Sequence, residues 1–351
     1  MFYENNKISD YLQLPTYPNS NEKIKSNLMK KIAIFTSGGD SPGMNANVRA
    51  VVRTALHYGL GAVGIRNGYE GMIDGDMYDM DARDVSNIIQ SGGTILGTAR
   101  SERFMNKAGR NQAYKNLKKF DIDGIVACGG NGTFTGAKIF MEEHPDISIV
   151  GTPGTIDNDL FGTDYTIGYD TAVNTAMNAI DNIKDTANAH GRLFFVEVMG
   201  RDAGFIALRS AIASGAEAVL VPETFTDLNA LIKTLNTNYE NKKRASVVVV
   251  AEGDDAGGAF EIVQKIKPKL LSKDIRVTVL GHIQRGGRPT SLDRVLASRL
   301  GMEAVRTLLE GKKGVMVGQI GGEIVLTPFE EAIKHHQTIN STLVEMVEIL
   351  A

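Results

Sequence analysis

A single cysteine, Cys128, among 351 residues leaves no internal disulfide framework and suits a reducing compartment. It closes the apolar run DGIVAC (123–128), where a small buried side chain is expected rather than a nucleophile. No stretch approaches the roughly 20 apolar residues that would cross a membrane. The first 29 residues are rich in Asn and carry two prolines. They lack the continuous apolar core, about 7–15 residues long, of a secretory signal, so a flexible arm is expected there. A basic excess is also missing. The 38 Lys and Arg are scattered and outnumbered by 41 Asp and Glu, which excludes a stripe suited to nucleic acid. The glycine-rich stretch TSGGDSPGMN (36–45) fits neither G-x-G-x-x-G nor G-x-x-x-x-G-K-[ST], which removes the usual grounds for a dinucleotide-dependent dehydrogenase or a P-loop protein.

From Lys30 onward the pattern is regular. Short β-branched runs end in glycine and give way to helical periodicity. Candidate strands are 31–36, 61–66, 123–128, 147–152, 193–199, 218–221, 246–251, 277–281 and 315–320. Their near-continuous apolarity means that both sheet faces are covered, as in parallel sheets flanked by helices. Between them the spacing predicts helices over Pro42–Gly59, Tyr169–Ala189 and Ser291–Glu310, the first with Ser41 as N-cap and Pro42 at its first position. The fold class is therefore α/β, doubly wound, with length enough for two domains. Ligands collect at the carboxyl ends of strands in such sheets, and much of the glycine excess (38 residues) falls in those loops.

Four sets of loops carry the chemistry. In 36–45, Gly38 and Gly39 allow close backbone approach to an anion at a helix start. GGNGT (129–133) offers a second glycine cradle, with the Thr133 hydroxyl beside it and an amide, Asn131, inside it. PGTIDND (153–159) places Asp157 where it could take a proton from an alcohol, and Asp159 where it could orient a metal or a neighbour. The plain alternative is an Asx-turn in which both carboxylates cap backbone N–H groups. Finally Arg201 in VMGRDAG, and His282 and Arg285 in GHIQRGGRP, follow strands, while Arg192 and Arg276 precede them. Guanidiniums at such positions suit bidentate phosphate recognition.

PGTIDND, VEVMGR and LGHIQRGG in combination make the chain, from about Lys30 to Glu310, resemble the bacterial ATP-dependent 6-phosphofructokinases. The resemblance implies two doubly wound, Rossmann-like sheet domains with the active site in the cleft between them. Residues 30–168 and 283–330 would form the larger, ATP-binding domain. Residues 169–282 with the tail 331–351 would form the smaller, fructose 6-phosphate-binding one, and 1–29 a flexible extension. It further implies a cytoplasmic glycolytic enzyme that uses ATP with Mg²⁺ and works as a homo-oligomer, typically a tetramer. Asp157 would be the general base, Thr155 part of the substrate loop, and Arg201 the charge stabiliser beside Met199 and Gly200. Glu252, His282 and Arg285 would hold fructose 6-phosphate, with Arg192 and Arg276 reaching in from a neighbouring subunit. Gly39, Arg100, Ser101, Gly130, Asn131, Gly132 and Thr133 would bind ATP. Glycine at 132 and 154, where pyrophosphate-using relatives usually carry Asp and Lys, favours ATP and leaves room for its nucleoside. An ADP or phosphoenolpyruvate effector would meet Arg49, Arg53, Lys184, Glu217, Lys243 and Arg244.

The chain departs from the family on the donor side. Asn131 stands where a magnesium-associated aspartate is usual, Ser101 where a larger residue is usual, and Met105 where an arginine is frequent. In the effector set, Lys184 replaces an arginine and Ala82 another. Two alternatives stay open at this point: a catalytically weak or regulatory paralogue that binds sugar phosphate, because of Asn131, and a pyrophosphate-dependent enzyme.

Overall fold

The computed structural model describes residues 29–241, 245–272, 274–334 and 338–351. Its strands are β1 (Lys31–Thr36), β2 (Gly61–Ile65), β3 (Met77–Met80), β4 (Gly124–Gly129), β5 (Ser148–Pro153), β6 (Leu193–Val198), β7 (Ala218–Leu220), β8 (Ser246–Ala251), β9 (Ile275–Val279), β10 (Val315–Ile320) and β11 (Glu323–Pro328). One sheet has seven strands in the order β11-β10-β5-β4-β1-β2-β3, and the other four in the order β7-β8-β6-β9. The four-stranded sheet is wholly parallel. In the larger sheet β10, β5, β4, β1 and β2 run parallel, with β3 and β11 antiparallel at the edges. Both sheets are of the doubly wound α/β class anticipated above.

Alternation along β1 shows why both faces must be covered. Ile32 and Ile34 pack on one side with residues of the helices Met44–His57 and Ser291–Leu309. Ala33 and Phe35 pack on the other with residues of the helices Lys107–Lys119 and Asn131–Glu143. In β6, Phe194, Val196 and Val198 are separated in the same way from Leu193 and Phe195. Each large apolar side chain so buried, Phe35 for example, contributes about 1.5–3 kcal/mol.

Several boundaries differ from expectation. The first helix starts at Met44, not Pro42, because Gly43 adopts φ 110° at its N-cap. Ser41 Oγ is buried there and accepts or donates no hydrogen bond. β9 begins two residues earlier than the apolar run suggested, which puts Arg276 inside the strand rather than before it. Two strands, β3 and β11, were not anticipated. β11 returns from β10 through Gly321 and Gly322 at φ 57° and 89°, the tight turn that joins antiparallel strands.

A buried carboxylate joins the two layers. Asp293, in the helix Ser291–Leu309, accepts hydrogen bonds from the backbone N–H of Gly168 and Thr171, each at 2.8 Å, and from Thr171 Oγ1 at 2.5 Å. These are orphan donors at the start of the helix Tyr169–His190, so Asp293 caps that helix from outside its own segment. Thr290 Oγ1 adds a 2.6 Å bond to Asp170.

Candidate active site

In the larger sheet, the connection after β1 leads to β2 on one side, while β4 and β5 lie on the other. Loops leaving adjacent strands β1 and β4 therefore part and open a crevice at the carboxyl edge. Six loops, after β1, β4, β5, β6, β8 and β9, converge there on a cavity of about 890 Å³. Of the residues expected from the sequence, Gly39, Arg100, Ser101, Gly130, Asn131, Gly132, Thr133, Thr155, Asp157, Arg201, Glu252 and Arg285 all line it.

One wall of the cavity is built on a helix start. The helix Asn131–Glu143 begins immediately after Gly130, so the N–H groups of Asn131 and Gly132 and the helix dipole are placed where an anion would be favoured. A Cβ at Gly39 would lie 2.8 Å from the Arg285 guanidinium, so glycine lets that arginine approach the β1 loop. A Cβ at Gly132 would meet nothing within 4 Å. The space expected beside Gly154 is not there. A Cβ at that position would lie 2.7 Å from Cys128 Sγ, so packing against the neighbouring strand dictates that glycine. Cys128 itself is fully buried, and burial pushes its thiol up to about 12, which leaves it inert.

PGTIDND separates its side chains by task. Asn158, at φ 55°, ties the loop with both amide ends: Nδ2 donates to Asp164 O at 3.1 Å, and Oδ1 accepts from Thr166 N at 2.7 Å. That is the Asx role which the sequence left open for the two aspartates. Asp157 and Asp159 both face the cavity instead. Thr155 Oγ1 accepts the Asp157 N–H at 3.2 Å, fixing the turn. Asp157 is pushed up to about 6, chiefly by burial and next by the charge of Asp159, against the pull of Arg201 and Arg285. Asp159 accepts a 3.1 Å hydrogen bond from Asn131 Nδ2.

On the opposite wall Arg201 is held at φ 55°, a strained conformation for a side-chain-bearing residue. Its N–H donates to Glu252 Oε1 at 2.8 Å, and Gly200 N to the same oxygen at 3.3 Å. Glu252 thus shapes the loop that presents Arg201. Met199 is buried, its N–H donating to Gln284 Oε1 at 2.9 Å. Met199, Gly200 and the exposed His282 do not line the cavity.

Arg192 and Arg276 lie elsewhere. Both sit at the amino ends of β6 and β9, a strand's length of about 15–20 Å from the loops that carry Arg201 and Arg285. Asp274 pairs with both, at 2.7 and 2.9 Å. Of the effector set, Arg49 is half-buried and Arg53 exposed, donating to Ala82 O at 3.3 Å. Lys184 Nζ donates to Ser214 O and Gly215 O at the end of the helix Phe205–Ser214, and the buried Glu217 accepts from Val247 N. Lys243 and Arg244 fall outside the described residues.

The sequence alone missed the support beneath the donor loop. Tyr69 donates to Thr133 O at 2.5 Å and stacks on Phe104 at 3.9 Å between ring centroids. Arg110, buried and paired with Glu143, donates to Phe104 O and Met105 O. Ser101 Oγ donates to Glu70, and Met105 is exposed at the cavity. Tertiary contacts of this kind leave no local signal, although Asp40 lay in a loop already singled out and also lines the cavity.

A helix start suited to an anion, a half-buried carboxylate raised to about 6 and two guanidiniums in one crevice fit a phosphotransferase-type α/β protein. The chain matches the phosphofructokinase family (Phosphofructokinase) over residues 31–308 and belongs to it. It is 55% identical to ATP-dependent 6-phosphofructokinase 1 of Thermus thermophilus, over 92% of this chain and 100% of that one. It is 50% identical to ATP-dependent 6-phosphofructokinase 2 of Bacteroides thetaiotaomicron, over 92% and 99%. Phosphofructokinase from Saccharomyces cerevisiae superposes with a TM-score of 0.82 at 37% identity, covering 91% of this chain and 47% of the yeast chain, so this protein spans about half of the yeast one. A pyrophosphate-dependent phosphofructokinase from Marinobacter aquaeolei shares the fold, with a TM-score of 0.80 at 21% identity. Among the described residues no helix is long and apolar enough to cross a membrane.

Proposed function

We propose that this protein transfers the γ-phosphoryl group of ATP to the 1-hydroxyl of fructose 6-phosphate, giving fructose 1,6-bisphosphate and ADP in glycolysis. The observation that carries the assignment of roles is Asp157: a half-buried carboxylate raised to about 6, sharing one cavity with Arg201, Arg285 and the helix start at Asn131. Asp157 takes the proton of the 1-hydroxyl as its oxygen attacks phosphorus. Arg201 neutralises charge growing on the transferred group, and Arg285 holds the sugar phosphate. The N–H groups of Asn131 and Gly132, with Gly39 and Arg100, hold the donor phosphates.

Mg²⁺ bound with ATP would draw charge from the donor phosphate oxygens. Asn131 and Asp159, joined by a 3.1 Å hydrogen bond, would border the ion's waters. The larger unit (30–168 and 283–330) supplies the donor side and the smaller (169–282 with 331–351) the sugar side, in a cytoplasmic homo-oligomer, taken to be a tetramer. Arg192 and Arg276 serve a neighbour's cavity, and Glu252 is a further sugar contact, whereas Met199, Gly200 and His282 stand outside the cavity and would reach the sugar only if the loops moved inward. Arg49, Arg53, Lys184, Glu217, Lys243 and Arg244 form the effector surface for ADP or phosphoenolpyruvate. The internal bonds of Lys184 and Glu217 lower its reach. A regulatory paralogue without transfer is not favoured, since Asp157, Thr155, Arg201 and Arg285 share the cavity.

The test is fructose 1,6-bisphosphate formation by the purified chain with Mg-ATP and with Mg-pyrophosphate. Turnover with ATP supports the proposal. Turnover with pyrophosphate alone, or with neither donor, overturns it.

A further inference from the structure

We infer that Gln284 is a positioning residue for phosphoryl transfer, a clamp that fixes the loop of Arg201 against the loop of Arg285. This deepens the phosphotransferase reading and rests on it. Gln284 lies in the short helix Gly281–Arg285, next in the chain to Arg285, and is wholly buried. Its Oε1 accepts the Met199 N–H at 2.9 Å, two residues before Arg201. That bond fixes the orientation of the amide, since an N–H can face only its carbonyl end. One side chain thus ties together the two loops that bring guanidiniums to the cavity.

The sheet itself does not make this tie. β6 lies between β8 and β9, and its register with β9 runs out at Glu197 and Val279. Leu280 N then donates to Glu197 O, and on the other side Glu252 N donates to Val198 O, each at 3.0 Å. Beyond those bonds the chain leaves the sheet, and its next three N–H groups are taken by side chains. Gln284 takes Met199, and Glu252 takes Gly200 and Arg201 at 3.3 and 2.8 Å. Arg201 sits at φ 55°, a conformation that persists only where its neighbours impose it. Gln284 anchors the start of that strained loop and Glu252 its middle. The chemistry of the side chain favours positioning over packing. Gln284 Nε2 is buried and has no acceptor among the described residues, a desolvation that an apolar side chain of equal length would avoid. Replacing the amide by such a side chain removes the Met199 bond and relieves Nε2, so the two effects on folding offset while the loop loses its anchor. With the clamp intact, the spacing between Arg201 on the transferred group and Arg285 on the sugar phosphate is fixed. So is the approach of the 1-hydroxyl to phosphorus, where a misplacement of about 1 Å can cost about 10²-fold.

The experiment uses the full chain as native, Gln284→Met, Gln284→Glu, Arg201→Ala and the double variant of Gln284→Met with Arg201→Ala. Each is read by steady-state kinetics, by calorimetric binding of fructose 6-phosphate and by thermal unfolding. Gln284→Met is expected to melt like native, to lose at least about tenfold in kcat and to bind fructose 6-phosphate at least about fivefold more weakly, with KM for ATP within about twofold. Gln284→Glu keeps the accepting oxygen and should recover most of the lost kcat. In the Arg201→Ala background, adding Gln284→Met should lower kcat by less than about twofold, because the clamp acts through Arg201. Native-like kinetics in Gln284→Met, or a full multiplicative loss in the double variant, overturns the inference. So does a Gln284→Met protein that fails to fold, since Gln284 would then serve the fold. The native chain separates the two levels. If it neither binds fructose 6-phosphate nor forms fructose 1,6-bisphosphate, the phosphotransferase reading falls and this inference with it. Native turnover beside any of the contrary results removes this inference alone.

Discussion

Replacing Asp157 by Asn is the sharpest test of the catalytic assignment, because the structure separates its chemistry from its support. Asn is nearly isosteric, and the loop is tied by Asn158 to Asp164 and Thr166, so the fold at 153–159 should persist. The Asp157 N–H bond to Thr155 Oγ1 is a backbone bond and survives too. What goes is the proton acceptor. Loss of a positioned general base costs about 10²–10⁴ in turnover, or about 2.7–5.4 kcal/mol of transition-state stabilisation. Fructose 6-phosphate binding should remain, since one negative charge is removed from beside Arg201 and Arg285. The pH profile supplies an independent reading. Asp157 is raised to about 6 and acts only when ionised, so kcat/KM of the native enzyme should rise with pH through about 6. At pH 5, one unit below that value, only about a tenth of the plateau rate should remain. In Asp157→Asn this acid limb should vanish from what activity is left. The measurement is steady-state kinetics of both proteins from pH 5 to 8, with fructose 6-phosphate binding by calorimetry. Near-native turnover in the variant, or an acid limb at the same pH, would refute the assignment.

Arg285→Ala should raise KM for fructose 6-phosphate far more than KM for ATP. Steady-state kinetics checks this, and the reverse pattern would exchange the two sides of the cavity. Asp293→Ala strands three donors at the start of the helix Tyr169–His190 and should cost at least about 2 kcal/mol in denaturant unfolding, and Asp293→Asn, which keeps one accepting oxygen but sets its NH₂ against another donor, should also destabilise, by less.

Much of this architecture was legible because it is local. Lys31–Thr36, Ser246–Ala251 and Val315–Ile320 coincide with their apolar runs, and the loops after six strands, with the segment after β3 that carries Arg100 and Ser101, supplied most of the cavity residues. β11 was missed although Gly321 and Gly322 announce a hairpin, because it lies on an edge where its apolar side chains Ile324, Val325 and Leu326 are only half-buried. β3 is shorter still, with a polar residue at its centre. The Ser41 cap failed because Gly43 turns the chain before the helix begins, so the serine never reaches the first-turn donors. Between Asp157, Asn158 and Asp159 the sequence could not say which side chains tie the loop. Only the fold, by bringing Asp164 and Thr166 to Asn158, assigns that task to the amide. Tyr69, Arg110 and Glu143 were out of reach for the same reason: they act through partners 33 to 64 residues away.

The placement of Arg192 and Arg276 leads to a prediction about assembly. Both stand at the amino ends of their strands, whereas Arg201 and Arg285 follow the carboxyl ends of β6 and β9. A rigid sheet cannot bring both pairs to one cavity of one chain, so these two serve either no active site or that of another copy. Asp274 holds them side by side, at 2.7 and 2.9 Å, as a preformed cationic pair in which the carboxylate is depressed below its usual range, chiefly by the bond from Arg192. If they act on a neighbour, Arg192→Ala damages a site whose own Asp157 is intact, and Asp157→Asn damages a site while leaving its chain able to lend Arg192. Each variant alone should be nearly inactive at low fructose 6-phosphate. Dissociated, mixed and reassembled, the two should regain turnover, because sites arise that combine Asp157 from one chain with Arg192 from the other. An assay of the mixture against the average of its components decides the matter. A simple average would mean that Arg192 contributes nothing in trans, and that its pairing with Asp274 serves only the fold of its own chain.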